Sequence, residues 1–291
     1  MAKQVSLAFL LLFFSIITVP LNARNTIKIW DGTEKSRKQK KSELTISVPE
    51  KEKNTGISVI ICPGGSYYWL DMNNEGFSVA KYLNKQGIAT FVLRYRRALY
   101  GNHHPSMIQD LQRSIQLVKE NADSYGIQPE KIGVMGFSAG GHLSGIAAEY
   151  FDTNFMHGLG IETNVSLKPA FVGMIYPVVS MEDSICHKKS RKNLLGKHFS
   201  AEQAKLMSLE QNVREDMPPV FLLQCTGDKT VNYRNSVVFD KALTEKNVRH
   251  QFICLDENGH GGHGFGIRPN GTATGWIDEF VKWVKSMNNE Q

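Results

Sequence analysis

Seven short runs rich in apolar and β-branched residues punctuate the chain: LTISV (44–48), ISVIIC (57–62), ATFVLRY (89–95), KIGVMGF (131–137), AFVGMIYPV (170–178), VFLLQC (220–225) and HQFICL (250–255). Most are apolar at nearly every position rather than at alternate ones. That is the pattern of strands buried on both faces of a parallel sheet. Helical patterns lie between them. Ile108, Leu111, Ile115 and Val118 recur at helical spacing after His104-Pro105, and Ile277, Phe280, Val281 and Val284 do so near the C-terminus. SAEQAKLMSLEQ opens with Ser200 and Gln203 in a capping-box arrangement. Strand-helix alternation over this length predicts a doubly wound α/β sheet in one domain. Residues 181–200, MEDSICHKKSRKNLLGKHFS, are the longest stretch without clear periodicity and are read as a lid or crossover near the site.

The chain of 291 residues is 41% hydrophobic and 21% charged, ample for a large core. At its start Lys3 precedes an apolar stretch from Leu7 to Val19, Pro20 breaks it, and Ala23 ends a cleavage-like site. This reads as a signal peptide at 1–23 followed by one folded domain at 24–291. An uncleaved signal anchor is the competing reading. Export to the periplasm or the extracellular medium is therefore expected, with no stable membrane insertion after cleavage. The formal charge of +6 is modest, and the basic run EKSRKQKKSE (34–43) is brief and lacks aromatic residues. It reads as a solvated loop, so no nucleic-acid partner is expected. Cys62, Cys225 and Cys254 sit in or beside strand-like runs and read as small buried hydrophobes; with Cys186 the chain has four cysteines, and one disulfide is left open.

Candidate chemistry centres on GVMGFSAGGHL (133–143), where Gly136-Phe137-Ser138-Ala139-Gly140 fits the G-x-S-x-G elbow. The pentapeptide alone is weak, but it follows a predicted strand and precedes a helix-like segment, the setting the elbow requires. A serine hydroxyl needs a base, a carboxylate to orient that base, and donors for a developing oxyanion. Asp228, in a Gly-Asp turn after VFLLQC, is the candidate acid; Glu182, Asp183 and Asp256 compete with it. LDENGHGGHGFG (255–266) offers His260 and His263 as base. A metal pair is a poor alternative, because no third ligand accompanies them at useful spacing. Gly64, Gly65 and Ser66 after an early strand, together with the Ala139 amide, are candidate oxyanion donors. Tyr67, Tyr68 and Trp69 beside them either stack on substrate rings or belong to the core or rim. His103 and His104 either line the cleft or pack.

The stretches CPGGSYYWL, LRYRRALYGNHHPSMIQDLQRSIQLVKENA, IGVMGFSAGGHL, YPVVSM, SRKNLLGK, VNYRNSVVF and GGHGFGI resemble the α/β-hydrolase family of bacterial acetylxylan and feruloyl esterases, over about Ile57 to Val284. The resemblance implies the α/β-hydrolase fold, with a mostly parallel twisted sheet flanked by helices. It further implies a serine carboxylesterase without metal or organic cofactor, acting on acylated oligo- or polysaccharides of plant cell walls. It places the nucleophile on Ser138, the acid on Asp228 and the base on His263, where GGHGFG matches. Three positions depart from the family pattern: Ser66 stands for a third glycine, TGDKT leaves Asp228 without a neighbouring aspartate, and the loop before His263 is longer.

Other functions share this machinery. A peptidase, lactonase or aryl-formamide hydrolase keeps the triad and changes the acyl group, whereas a non-catalytic glycan-binding relative would have a broken one.

Overall fold

The computed structural model describes residues 25–33, 42–256, 262–267 and 275–287. The proposed signal peptide, most of the basic run and His260 lie outside them. Among the described residues eight strands form one sheet: β1 (Asn25–Lys28), β2 (Glu43–Ser47), β3 (Ser58–Cys62), β4 (Ala89–Arg94), β5 (Ile132–Phe137), β6 (Val172–Ile175), β7 (Val220–Cys225) and β8 (His250–Leu255). Their order is β1-β2-β4-β3-β5-β6-β7-β8. β1 and β2 run antiparallel to their neighbours, and every pairing from β4 to β8 is parallel.

The helices are α1 (Ser78–Lys85), α2 (Ser106–Glu120), α3 (Ala122–Tyr125), α4 (Ala139–Glu149), α5 (Lys188–Leu195), α6 (Ala201–Leu206), α7 (Arg234–Glu245) and α8 (Gly275–Met287). They supply the crossovers that parallel strands need. β3, β5, β6 and β7 are buried at every position, as their unbroken apolar runs require. α4 packs on β3, β5 and β6 and also touches α2, while α1 lies on β2 and β4. α8 turns Phe280 and Trp283 onto Phe171 and Phe221 with edge and tilted ring contacts. Each such ring, fully buried, contributes roughly 1.5–3 kcal/mol over an exposed one. Among the described residues no helix is long and apolar enough to cross a membrane.

The sheet corrects the periodicity at its margins. β1 has a single apolar residue, Ile27, and owes its existence to pairing with β2. β2 alternates half-buried and buried residues, because it is antiparallel and covered on one face. β8 is an edge strand with no fully buried residue, so Cys254 is exposed rather than a core thiol. Cys62 and Cys225 are buried, Cys186 is half-buried, and all four cysteines are free thiols. Residues 181–200 contain helix α5, whose inward face is only Ser190 and Leu194. Two buried contacts in eight residues are too few to leave a readable period. The capping box at Ser200 and Gln203 is formed as the sequence predicts.

One buried polar cluster fastens the antiparallel end of the sheet to α2. Asp110 Oδ1 accepts from Trp30 Nε1 at 2.8 Å and Arg96 Nε at 2.9 Å. Its Oδ2 accepts from Ser42 Oγ at 2.8 Å and the Arg96 amide at 2.7 Å. Both carboxylate oxygens are thereby satisfied, which a buried charge requires.

Candidate active site

β5 delivers the chain to Ser138, and α4 begins at the next residue. Ser138 has φ 52° and ψ −118°, a conformation that costs a non-glycine residue about 1–3 kcal/mol. The surroundings hold it there. Its amide donates to Ile175 O at 2.9 Å, and its carbonyl accepts from His142 N and Val178 N, each at 3.1 Å. Two glycines make the turn sterically feasible. A Cβ on Gly136 would lie 2.0 Å from Gly140 O, and one on Gly140 would lie 2.0 Å from Cys62 O.

Two loops at the same edge of the sheet complete a continuous chain of side chains. Ser138 Oγ lies 3.0 Å from His263 Nε2, and His263 Nδ1 lies 2.7 Å from Asp228 Oδ2. The other Asp228 oxygen accepts from Thr230 N at 2.8 Å and Val231 N at 2.9 Å, so the turn after β7 fixes the buried carboxylate. A histidine proton on Nδ1 satisfies the carboxylate and leaves the Nε2 lone pair facing the hydroxyl. That arrangement can take the Oγ proton and hold the resulting imidazolium against a fixed negative charge. Of the competing acids, Asp183 pairs with Arg191 and Glu182 accepts from Gln211, both away from His263. Asp256 follows β8, where its carbonyl accepts from Cys225 Sγ.

The histidine loop rests on residues that the sequence reading did not single out. The Tyr176 ring packs on His263 with centroids 4.7 Å apart. Its hydroxyl accepts from Gly266 N at 3.0 Å and donates to Glu75 Oε1 at 2.8 Å. Glu75 Oε2 accepts from Gly64 N at 2.7 Å, and Ile267 N donates to Asn74 O at 3.0 Å. Glu75 therefore ties the loop after β3 to the loop that carries the histidine. Burial pushes its carboxyl up to about 7, against the pull of the Tyr176 hydroxyl and the Gly64 amide. Tyr176 reads as core because it sits in an apolar run. Glu75 carries only the faint signal of an acid just before the α1 pattern.

The oxyanion candidates divide. The Gly64 amide is committed to Glu75 and is not a free donor. Gly65, Ser66 and Tyr67 all have positive φ, at 133°, 57° and 59°. Ser66 thus takes the left-handed backbone a third glycine would adopt easily, with its carbonyl held by Asn193 Nδ2 at 2.7 Å. Ala139 stands first in α4, where an amide has no intrahelical partner.

Tyr67 is a correction. It is fully buried, with its ring edge against Tyr95 and its hydroxyl 2.8 Å from His142 Nδ1, so it is core and cannot stack on a substrate. His142 Nε2 faces the Met207 carbonyl at 2.7 Å. A carbonyl only accepts, so Nε2 carries the proton and Nδ1 accepts from Tyr67. Burial lowers His142 to about 4 and keeps it neutral. Tyr68 and Trp69 are 41% and 50% exposed. His103 Nδ1 contacts Asn193 O at 2.8 Å and the His104 amide donates to Leu194 O at 2.7 Å, so this pair seats α5.

Fold and geometry together define an α/β-hydrolase with a serine, a histidine and an aspartate in hydrogen-bonding sequence. Comparison places it further: the model of the BD-FAE family matches residues 44–243, and the chain belongs to that family. It is 29% identical to the acetylxylan esterase of Xylanibacter ruminicola over 85% of this chain and 48% of that protein. It is 30% identical to endo-1,4-beta-xylanase B of Butyrivibrio fibrisolvens over 70% of this chain and 32% of that protein. The chain thus spans about half and about a third of these relatives. A solved structure of an acetyl ester-xyloside bifunctional hydrolase from Caldicellulosiruptor lactoaceticus superposes with a TM-score of 0.75 at 30% identity, covering 85% of this chain and 88% of that one.

Proposed function

We propose that the chain is an exported serine carboxylic ester hydrolase that removes acetyl groups, and in some substrates feruloyl groups, from plant cell-wall polysaccharides such as xylan. The observation that carries the reading is the unbroken Asp228–His263–Ser138 hydrogen-bond chain at the elbow. In the first step Ser138 Oγ attacks the ester carbonyl while His263 Nε2 takes its proton. The amides of Gly65, Ser66 and Ala139 receive the oxyanion; one such donor is typically worth about 3 kcal/mol of transition-state stabilisation. The protonated histidine then gives its proton to the departing sugar oxygen, leaving an acyl-serine. Water, activated by the same nitrogen, attacks the acyl-serine and releases the acid. Asp228 holds the imidazole orientation throughout. Tyr68 and Trp69, exposed beside the oxyanion loop, offer rings on which a sugar or feruloyl group stacks. The similarity to an acetylxylan esterase supports the acetyl-glycan assignment, and the n-region and apolar stretch of residues 1–23 support export ahead of a single catalytic domain at 24–291.

The test measures acetate and ferulate release from acetylated xylan, acetylated pectin and feruloylated oligosaccharides, beside peptide, lactone and aryl-formamide substrates. Acetate release that disappears in S138A is expected. Turnover confined to amides or lactones, or an S138A rate equal to the parent's, refutes the reading.

A further inference from the structure

We infer that α5 and the loop after β4 form a cationic surface that binds the carboxylate of a uronic acid unit, so that the preferred substrate is an acylated acidic glycan. This rests on the ester-hydrolase reading and specifies its substrate.

From His187 to Ser200 the chain contains five lysines and arginines and no acid. α5 turns Ser190 and Leu194 inward, which leaves Lys188, Lys189 and Lys192 exposed on one outward face. None of the three lysines forms an ion pair among the described residues, whereas Arg191 is engaged by Asp183. The nearest acids lie at the start of the segment, where Asp183 pairs with Arg191 and Glu182 accepts from Gln211. Neither pairs with a lysine of α5, so with Lys197 the segment keeps an excess of positive charge.

Its position ties it to the reaction. Asn193 of α5 hydrogen-bonds the Ser66 carbonyl of the oxyanion loop, and His187 at the start of the helix lies within electrostatic range of His263, Asp228 and Lys189. Lys189 Nζ stands 5.7 Å from the ring centroid of Tyr68. Arg97 adjoins the same loop, because the Ala98 amide donates to Tyr67 O. Its guanidinium lies over Tyr100 at 4.9 Å, and its buried Nε has no hydrogen-bond partner among the described residues. A sugar chain resting on Tyr68 and Trp69 would present its ester to Ser138 and a flanking carboxylate to these cations. A neutral glycan would offer the lysines hydroxyl acceptors but no counter-charge, so their mutual repulsion would remain.

The deciding experiment compares acetylated xylo-oligosaccharides bearing a glucuronate branch with unbranched acetylated ones of equal length. At low ionic strength kcat/KM should favour the charged substrate by about tenfold, mostly through KM, and the preference should collapse as salt rises. The triple variant K188Q/K189Q/K192Q should bring the ratio to within about twofold of unity. K85Q should keep the parental ratio, since α1 ends at the edge of the sheet where β4 begins, opposite the site. Equal rates on both oligosaccharides, or a preference that ignores salt and the lysines, overturns this inference and leaves the esterase reading standing. Acetate release from neither oligosaccharide, with 4-nitrophenyl acetate also untouched, overturns both.

Discussion

Asp110 and Asp228 are both buried aspartates that face a basic side chain, yet one holds the fold together and the other belongs to the candidate site. Asp110 meets four donors, two on each oxygen, and all are internal to the protein. Its cation, Arg96, goes on to bond the Ser106 carbonyl and Gln109, which closes the cluster. Asp228 instead gives one oxygen to two turn amides and the other to His263 alone, whose far nitrogen reaches Ser138. A closed network spends its charge on rigidity. An open one passes it through a titratable ring to a hydroxyl. Burial and pairing do not distinguish the two; where the last hydrogen bond ends does.

The sharpest break of this comparison is the same substitution at both positions. In D228N the oxygen facing His263 becomes an amide donor, which forces the histidine proton onto Nε2 and removes the acceptor that Ser138 needs. kcat should fall by about 10⁴-fold, while the urea-unfolding free energy stays within about 1 kcal/mol of the parent, because the turn amides keep their acceptor. D110N should do the reverse. It leaves the buried Arg96 guanidinium without its counter-charge and costs about 3–5 kcal/mol of stability, with kcat retained in the folded fraction. Parallel kinetics and urea titrations check both. A D228N enzyme that keeps more than a tenth of its activity, or unfolds as D110N does, would erase the distinction.

Glu75 is intermediate between the two, a closed network that braces an open one, and it should reveal itself through pH. Its carboxyl titrates near the ordinary 4.5 in the unfolded chain and is raised by burial to about 7 in the fold. Between those values the folded protein holds more protons than the unfolded one. The stabilisation linked to this group is therefore fully present below about pH 4.5 and lost as pH rises through 7, a span worth about 3 kcal/mol. E75Q does not titrate. The difference in unfolding free energy between parent and E75Q should thus fall by roughly that amount from pH 4.5 to 8, measured by urea titration at intervals. A pH-independent difference would show that the carboxyl does not carry the cost of burial.

What could be read in advance follows the same division. The parallel strands were legible because burial on both faces demands apolar residues at every position, as in VFLLQC, which coincides with β7. Ser138, Asp228 and His263 were legible because each lies in a loop whose glycines make little sense in a core. β1 and α5 were not, since each depends on a neighbour more than on its own pattern. Tyr67 misled because an aromatic beside a glycine-rich loop looks the same whether it turns toward solvent or toward His142. Glu75 and Tyr176 stayed hidden for a related reason: their roles arise from loops 100 residues apart meeting, as the Glu75–Tyr176 separation of 101 positions records.

The smallest effect tests the energetic side of the elbow. Ser138 adopts a backbone that favours glycine, and three hydrogen bonds through its amide and carbonyl keep it there. S138A and S138G both remove Oγ, and with it the contact to His263, so comparing them cancels the loss of the hydroxyl. Alanine retains a Cβ in the unfavourable region, a cost of about 1–3 kcal/mol that glycine escapes. Glycine in turn loses about 0.4–1 kcal/mol through the greater freedom of its unfolded chain. S138G should therefore be the more stable of the two by roughly 1 kcal/mol, and both should be inactive. Thermal and urea unfolding of the pair supplies the number. If S138A proves equal or more stable, the turn is relaxed, and the geometry of Ser138 owes nothing to strain held in place by β6 and the start of α4.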